Sequence, residues 1–143
     1  MKALTLTQPW ASLMAIGAKR IETRSWSTPY RGEIVIHAAK NFPRWAREFA
    51  AEPTVSKLFE PGYEFPLSRG LCIVRLLGCF PTSEVGLRQL SFVAGGKPSA
   101  KELEFGDFGY GRYAWLTEYV RPLLPITDPI RGSLGLWDWS GEL

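Results

Sequence analysis

Six consecutive residues, Lys19-Arg-Ile-Glu-Thr-Arg24, hold three bases and one acid. Two kinds of chemistry are open to them. Lys19, Arg20 and Arg24 donate to anionic oxygen, and a guanidinium offers a fork of N–H groups that fits a phosphate or a base edge. Glu22 among them makes an ion pair or, held desolvated beside Lys19, a proton-transfer pair. Gln8 and Trp10 lie upstream, Trp26 closes the run, and Tyr30, Arg31 and Lys40 follow. Cations that meet phosphates, interleaved with aromatic faces that stack on bases, are the components of a groove for single-stranded nucleic acid. The opposing reading puts Trp10 and Trp26 in the core and leaves the cations solvated. On composition alone that reading is the commoner outcome.

The net charge of +3 is modest, but its distribution is uneven. Residues 1–50 hold eight Lys/Arg against three Glu, net +5, whereas residues 51–143 hold nine against eleven Asp/Glu, net −2. The positive field gathers in the part of the chain that carries the run, which points to an anionic partner. Other chemistries are poorly supplied. One His, His37, and two Cys, Cys72 and Cys79, leave a structural zinc site almost without ligands, so no metal is expected. The two thiols read as reduced core residues of a cytoplasmic protein. Gly95-Gly-Lys-Pro-Ser99 has Ser91 where a phosphate loop needs its first Gly, and Pro98 where it needs Ser or Thr. Gly109-Tyr-Gly111 lacks the third Gly of a dinucleotide fingerprint. No cofactor is therefore expected. His37 reads as a surface or half-buried strand residue, and the spacing builds no Ser–His–Asp triad on it. No apolar run approaches the roughly 18 residues of a membrane span, so no membrane partner is expected. The chain starts as a strand rather than a signal peptide.

The elements around the run must position it. Residues 2–7 alternate with period 2 and predict a strand. Pro9 suits the first position of a helix, and Trp10, Leu13 and Met14 share a face at i, i+3, i+4, predicting a helix over about 9–17 that Gly17 stops. Residues 33–39 predict a strand with Ile34, Ile36 and Ala38 on one face. Phe42, Trp45, Ala46, Phe49 and Ala50 form the apolar stripe of a helix over 42–52. Residues 53–69 read as irregular. Residues 70–80 predict a long central strand, followed by a short helix capped by Thr82 or Ser83 and running to Leu90. Residues 95–111, with five Gly, read as a loop that covers the cleft as a flap. Strands over 112–120 and 133–139 flank a turn at Pro125–Pro129. At 143 residues, 45% of them hydrophobic, this is one domain. Its class is α+β: a small mixed β-barrel of five to six strands with two to three short flanking helices. Where the run is extended, Glu22 and Arg24 share a face, and Lys19, at the bend after the helix, must turn toward them.

Three spaced segments carry a resemblance. They are Gln8-Pro-Trp-Ala-Ser-Leu13, then Gly17-x-Lys19-Arg-Ile-Glu22-x-Arg24-Ser-Trp26, then Tyr30-Arg-Gly32-x-Ile-x-Ile36 followed by Ala38-Ala39. Together they resemble the ASCH domain family of the PUA-like superfamily, in the branch found at the C-terminus of the activating signal cointegrator, a transcription coactivator. The match is dense over residues 4–40 and looser at Gly70–Phe80, Gly106–Trp115 and Pro125–Trp137. The resemblance implies a PUA-like barrel, a cleft beside Lys19, Glu22 and Arg24, and binding of RNA or DNA. In those terms Gln8, Trp10, Lys19, Arg20, Arg24, Trp26, Tyr30, Arg31 and Lys40 are the expected contacts to RNA, to another single strand, or to a nucleoside or nucleotide. A small bacterial branch hydrolyses N4-acetylcytidine with a Lys, a Thr three residues later and a Glu from a later strand. Another member is described as a ribonuclease. Here Lys19 matches the Lys, but Glu22 stands where the Thr belongs. The alternative expectation is therefore a hydrolase of RNA or a modified nucleoside, with Lys19 and Glu22 as acid and base.

Overall fold

The computed structural model describes residues 1–124 and 127–143. Six strands form one mixed sheet: β1 (Lys2–Leu6), β2 (Ile21–Arg24), β3 (Gly32–Ala38), β4 (Gly70–Pro81), β5 (Tyr113–Pro122) and β6 (Leu136–Asp138). Their order is β2-β5-β4-β3-β1-β6. β1 and β3 run parallel, and the other neighbours are antiparallel. The described residues also form five helices: α1 (Trp10–Ala15), α2 (Arg44–Ala51), α3 (Pro53–Ser56), α4 (Glu84–Ala94) and α5 (Ala100–Phe105).

The sheet curls into a partial barrel. Register shifts between Ile36 and His37, Ile73 and Val74, and Leu76 and Gly78 bend its central strands. The curl brings β2, at one end of the order, to β1, fifth along it: the Arg24 Nη2 donates to the Thr5 carbonyl at 2.9 Å. Helix α1 fills the concave side. Ala11 and Met14 pack there against Leu4 and Leu6 of β1, Ile34 and Ile36 of β3, and Val74 and Leu76 of β4. Trp115 of β5 is fully buried in the same cluster. Its Nε1 donates to the Trp26 carbonyl at 3.0 Å, and the Trp26 ring meets it edge-on at 4.7 Å.

The convex face is covered as well. Ala3, Val35, Ile73 and Leu123 are buried beneath Trp137 and Trp139. Both faces of β3 are therefore apolar, and His37, expected at or near the surface, is 1% exposed. Three groups satisfy it in sequence. The Trp137 indole donates to Thr5 Oγ1 at 3.0 Å, Thr5 Oγ1 lies 3.1 Å from His37 Nδ1, and His37 Nε2 lies 2.7 Å from the Ile130 carbonyl. The carbonyl only accepts, so Nε2 carries the proton and the Thr5 hydroxyl donates to Nδ1. Gly132 closes on this group so tightly that a Cβ there would stand 2.7 Å from Thr5 Oγ1.

Five of the strands match the segments marked by period-2 patterning, although β6 holds only three residues of the expected 133–139. The long apolar β4 is central. The first two residues of the expected Pro125–Pro129 turn lie outside the described residues. Three elements differ from expectation. β2 is a strand of four residues on the sheet edge, too short and too charged for alternation to announce it. α3 interrupts the stretch expected to be irregular. α5 sits within the glycine-rich segment 95–111, so that segment is not one loop. Ser99 Oγ accepts the Glu102 N–H at 3.1 Å as an N-cap, and Ala100 to Glu104 are mostly good helix formers. The glycines stand at the helix ends and beyond it. Five helices thus replace the two to three expected.

Candidate functional site

A cleft of about 600 Å³ opens where β1, β2, α2 and the segment after α5 meet. Its polar side comes from the run. Two residues past α1 stands Gly17, whose φ of +76° favours glycine and turns the chain back toward β2. The turn carries Lys19 inward, where it is 2% exposed and donates through Nζ to the Ile21 carbonyl. Glu22 stands between two cations, one on each oxygen. Its Oε1 is 3.3 Å from Lys19 Nζ and its Oε2 is 3.0 Å from Arg24 Nη2. Arg24 is thereby held by Glu22 and by the Thr5 carbonyl, with its side chain 23% exposed into the cleft. Two cations around one carboxylate leave this stretch of the wall positive, while Glu104 and Asp107 also line the cleft and Asp107 lies 3.5 Å from Arg112.

The neighbouring wall is pinned to β2. Thr23 Oγ1 accepts the Asp107 N–H at 2.9 Å, and Arg112 donates to the Asp107 and Thr23 carbonyls at 3.0 and 3.1 Å. Arg112 becomes the second guanidinium lining the cleft. The facing wall is aromatic. Trp10 stacks on Phe49 of α2 at 5.1 Å and 8°, and Trp45 lies 5.7 Å from Trp10. The Trp10 indole is fixed by the Phe105 carbonyl at 2.6 Å. Trp45 is 62% exposed at the mouth. α2 fully buries only the small Ala46 and Ala50; Phe49 lines the cleft from a seat on the Leu13, Val55 and Phe105 cluster, and Trp45 stands out at the rim.

The nine expected contact residues divide three ways. Trp10 and Arg24 line the cleft, and Lys19 supports it from behind. Gln8 does not face it: the residue is fully buried, with Nε2 donating to Ser12 Oγ and the Pro66 carbonyl and Oε1 accepting the Ser12 N–H. That amide ties α1 to the segment before β4, and a base contact does not fit its placement. Trp26 and Tyr30 pack on the concave core, with the Tyr30 hydroxyl donating to the Glu33 carbonyl. Arg31 folds onto its own turn through the Thr28 and Tyr30 carbonyls. Arg20 lines a different cavity, and Lys40 lines a third beside His37. Arg112, Trp45, Phe49 and Thr23 were missed as site residues. The first three come from elements far from the run in sequence, and Trp45 carried a signal only as an unusually large member of an α2 stripe whose buried positions are alanines.

Among the described residues no group of three His, Cys, Asp or Glu stands ready for a metal ion, and no helix is long and apolar enough to cross a membrane. Comparison with known proteins places the chain. Activating signal cointegrator 1 from Homo sapiens and from Mus musculus are each 41% identical over 63 residues, which is 44% of this chain and 11% of theirs. The chain thus matches only a small part of those relatives. A crystal structure of a ZmASCH mutant protein from Zymomonas mobilis aligns over 91% of this chain and 74% of its own, with a TM-score of 0.47 and 17% identity. The model of the ASCH domain matches residues 4–102, which take in most of β1, α1, the Lys19–Arg24 run, β3 and β4. Spanning well over half of the sequence, that match makes the chain a member of the ASCH domain family.

Proposed function

We propose that the protein is a nucleic-acid-binding module and that its cleft takes RNA or another single strand. One observation carries the reading: Arg24 and Arg112 line the same cleft as the Trp10, Trp45 and Phe49 rings. Guanidinium groups answer phosphate, and rings with exposed faces answer unstacked bases. Glu22 restrains Arg24, so the guanidinium is oriented before a ligand arrives. Membership of the ASCH family supports nucleic acid over other anions. A cytoplasmic setting is part of the same proposal. The test is a titration of short single-stranded RNA against wild type and Arg24→Ala at several salt concentrations. Salt-sensitive binding that the substitution weakens supports the reading, whereas binding indifferent to both excludes it.

Hydrolysis ranks second. The Lys19 amine is buried and spent on the Ile21 carbonyl and Glu22, so it is poorly placed to meet a substrate. Both Glu22 oxygens already face cations. The pair acts in this reading as a support for Arg24. Incubation with N4-acetylcytidine or RNA, followed by chromatography, separates the two readings: product release at about one per second or faster, as in ordinary enzymes, puts the hydrolase first.

A further inference from the structure

On the far side of the run from the cleft lies a second cavity of about 310 Å³ that shares no lining residue with it. Such a volume is at the small end of ligand sites, which run to about 300–1,000 Å³. It suits a molecule of amino-acid size and is too small for an oligonucleotide. Its floor is apolar, made by Ile21, Leu90 and Leu116, each at most 4% exposed.

Glu102 of α5 lines this cavity while only 8% exposed. Its Oε1 accepts the Arg20 N–H at 2.9 Å. Its Oε2 is buried and has no hydrogen-bond partner among the described residues. An ionised oxygen left unpaired in such surroundings is unfavourable, and a cationic donor would satisfy it. Burial raises the Glu102 carboxyl above its ordinary range, against the Arg20 and Ile21 backbone N–H groups and the Lys19 and Arg20 charges, so the Ile21 N–H points toward the carboxyl without closing a hydrogen bond on Oε2. Lys19 itself is committed elsewhere, to Ile21 and Glu22. The C-terminus of α4 ends on the same cavity at Ala94 and Gly95, with no basic residue in its last turn. The negative end of that helix adds to the preference for a cation. The rim has the opposite sign, because Arg20 and Lys97 line it and both are exposed.

We infer that this cavity is a site for a small zwitterion, an amino acid or a compound of that class, with its ammonium group at Glu102, its apolar body on the Leu90 floor and its anionic group at Arg20 and Lys97. The arrangement excludes simple polycations, which the rim repels, and simple anions, which Glu102 repels. The site is independent of the nucleic-acid cleft, so either reading can fail without the other.

Three probes of one shape test it: leucine with both charges, leucine amide with only the ammonium, and isocaproate with only the anion. Each is titrated into the 143-residue protein and followed by amide chemical shifts. Leucine is expected to bind with a Kd on the order of 1 mM, and the other two about tenfold more weakly. The shifts should map to Arg20, Gly96 and Glu102. Glu102→Gln keeps the shape and is expected to lower leucine affinity about tenfold. Should that variant not fold, the exposed pair Arg20→Ala and Lys97→Ala serves instead, and it should erase the preference for leucine over its amide. Absence of shifts at saturating leucine, shifts confined to the cleft, equal affinity for leucine and its amide, or indifference to Glu102→Gln would each overturn the assignment.

Discussion

Lys19 and Trp45 exchange the roles that residue type suggests. A lysine in a basic run reads as a surface contact and a tryptophan in an apolar stripe as core, yet Lys19 is 2% exposed and Trp45 62%. Removing Lys19 leaves Glu22 without one of its two cations in a nearly enclosed site. Lys19→Ala is therefore expected to cost about 3–5 kcal/mol of folding stability, as when one partner of a buried pair is lost. Urea denaturation measures it, and an unchanged midpoint would contradict a supporting role. Trp45→Ala should do the reverse. The ring holds few buried contacts, so the thermal midpoint should hardly move, while single-strand affinity should fall by about 1–3 kcal/mol for the loss of one stacked base. Fluorescence anisotropy with a labelled oligonucleotide reads that loss.

At the scale of elements, the structure depends on segments that lock one another. β3 carries His37 against the chain from Thr127 onward, and hydrogen bonds to Thr5 and Ile130 hold the ring in place. Burial lowers the His37 pKa, outweighing the hydrogen bonds that raise it. Below the ordinary histidine value of about 6.5 the unfolded chain then takes a proton that the folded chain does not. The unfolded state binds more protons in that window, so stability is full above it and falls as the pH drops through it. His37→Gln should reduce the difference in denaturation midpoint between neutral and mildly acidic buffer. An equal difference in both proteins would rule out His37 as its source. α4 depends on a close approach to the end of β4. A Cβ on Gly86 would stand 1.9 Å from the Pro81 carbonyl oxygen, so Gly86→Ala must displace α4 or the strand end. A loss of about 3 kcal/mol or more is expected, read by thermal melting.

At the scale of the molecule, the charged wall and the aromatic wall act as one surface, and ionic strength separates their contributions. Each phosphate contact steepens the log–log salt dependence by about 0.7 for a single strand. Arg24→Ala should flatten that slope by one such unit, while Trp45→Ala should shift the line and leave its slope. Micromolar or weaker affinity is expected for a cleft of this size. What the sequence determined by itself was local. Alternation marked β1, β3 and β5, a continuous apolar run marked β4 because both faces of a central strand meet a core, and the 3.6 period marked α1 and α2 because one stripe of each packs inward. It marked Glu22 and Arg24 as neighbours on one face, because an extended chain sets alternate residues together. The tertiary structure alone decided which cations face a ligand. Lys19 is buried because the turn at Gly17 carries it inward beside Glu22, and Arg20, in the turn just before β2, lines the second cavity instead. Arg112, Trp45 and Phe49 join Arg24 only because the sheet curls β2 against β1 and folds α2 and the chain after α5 over the gap. Long-range closure of that kind is set by packing among distant segments, and no periodicity along the chain records it.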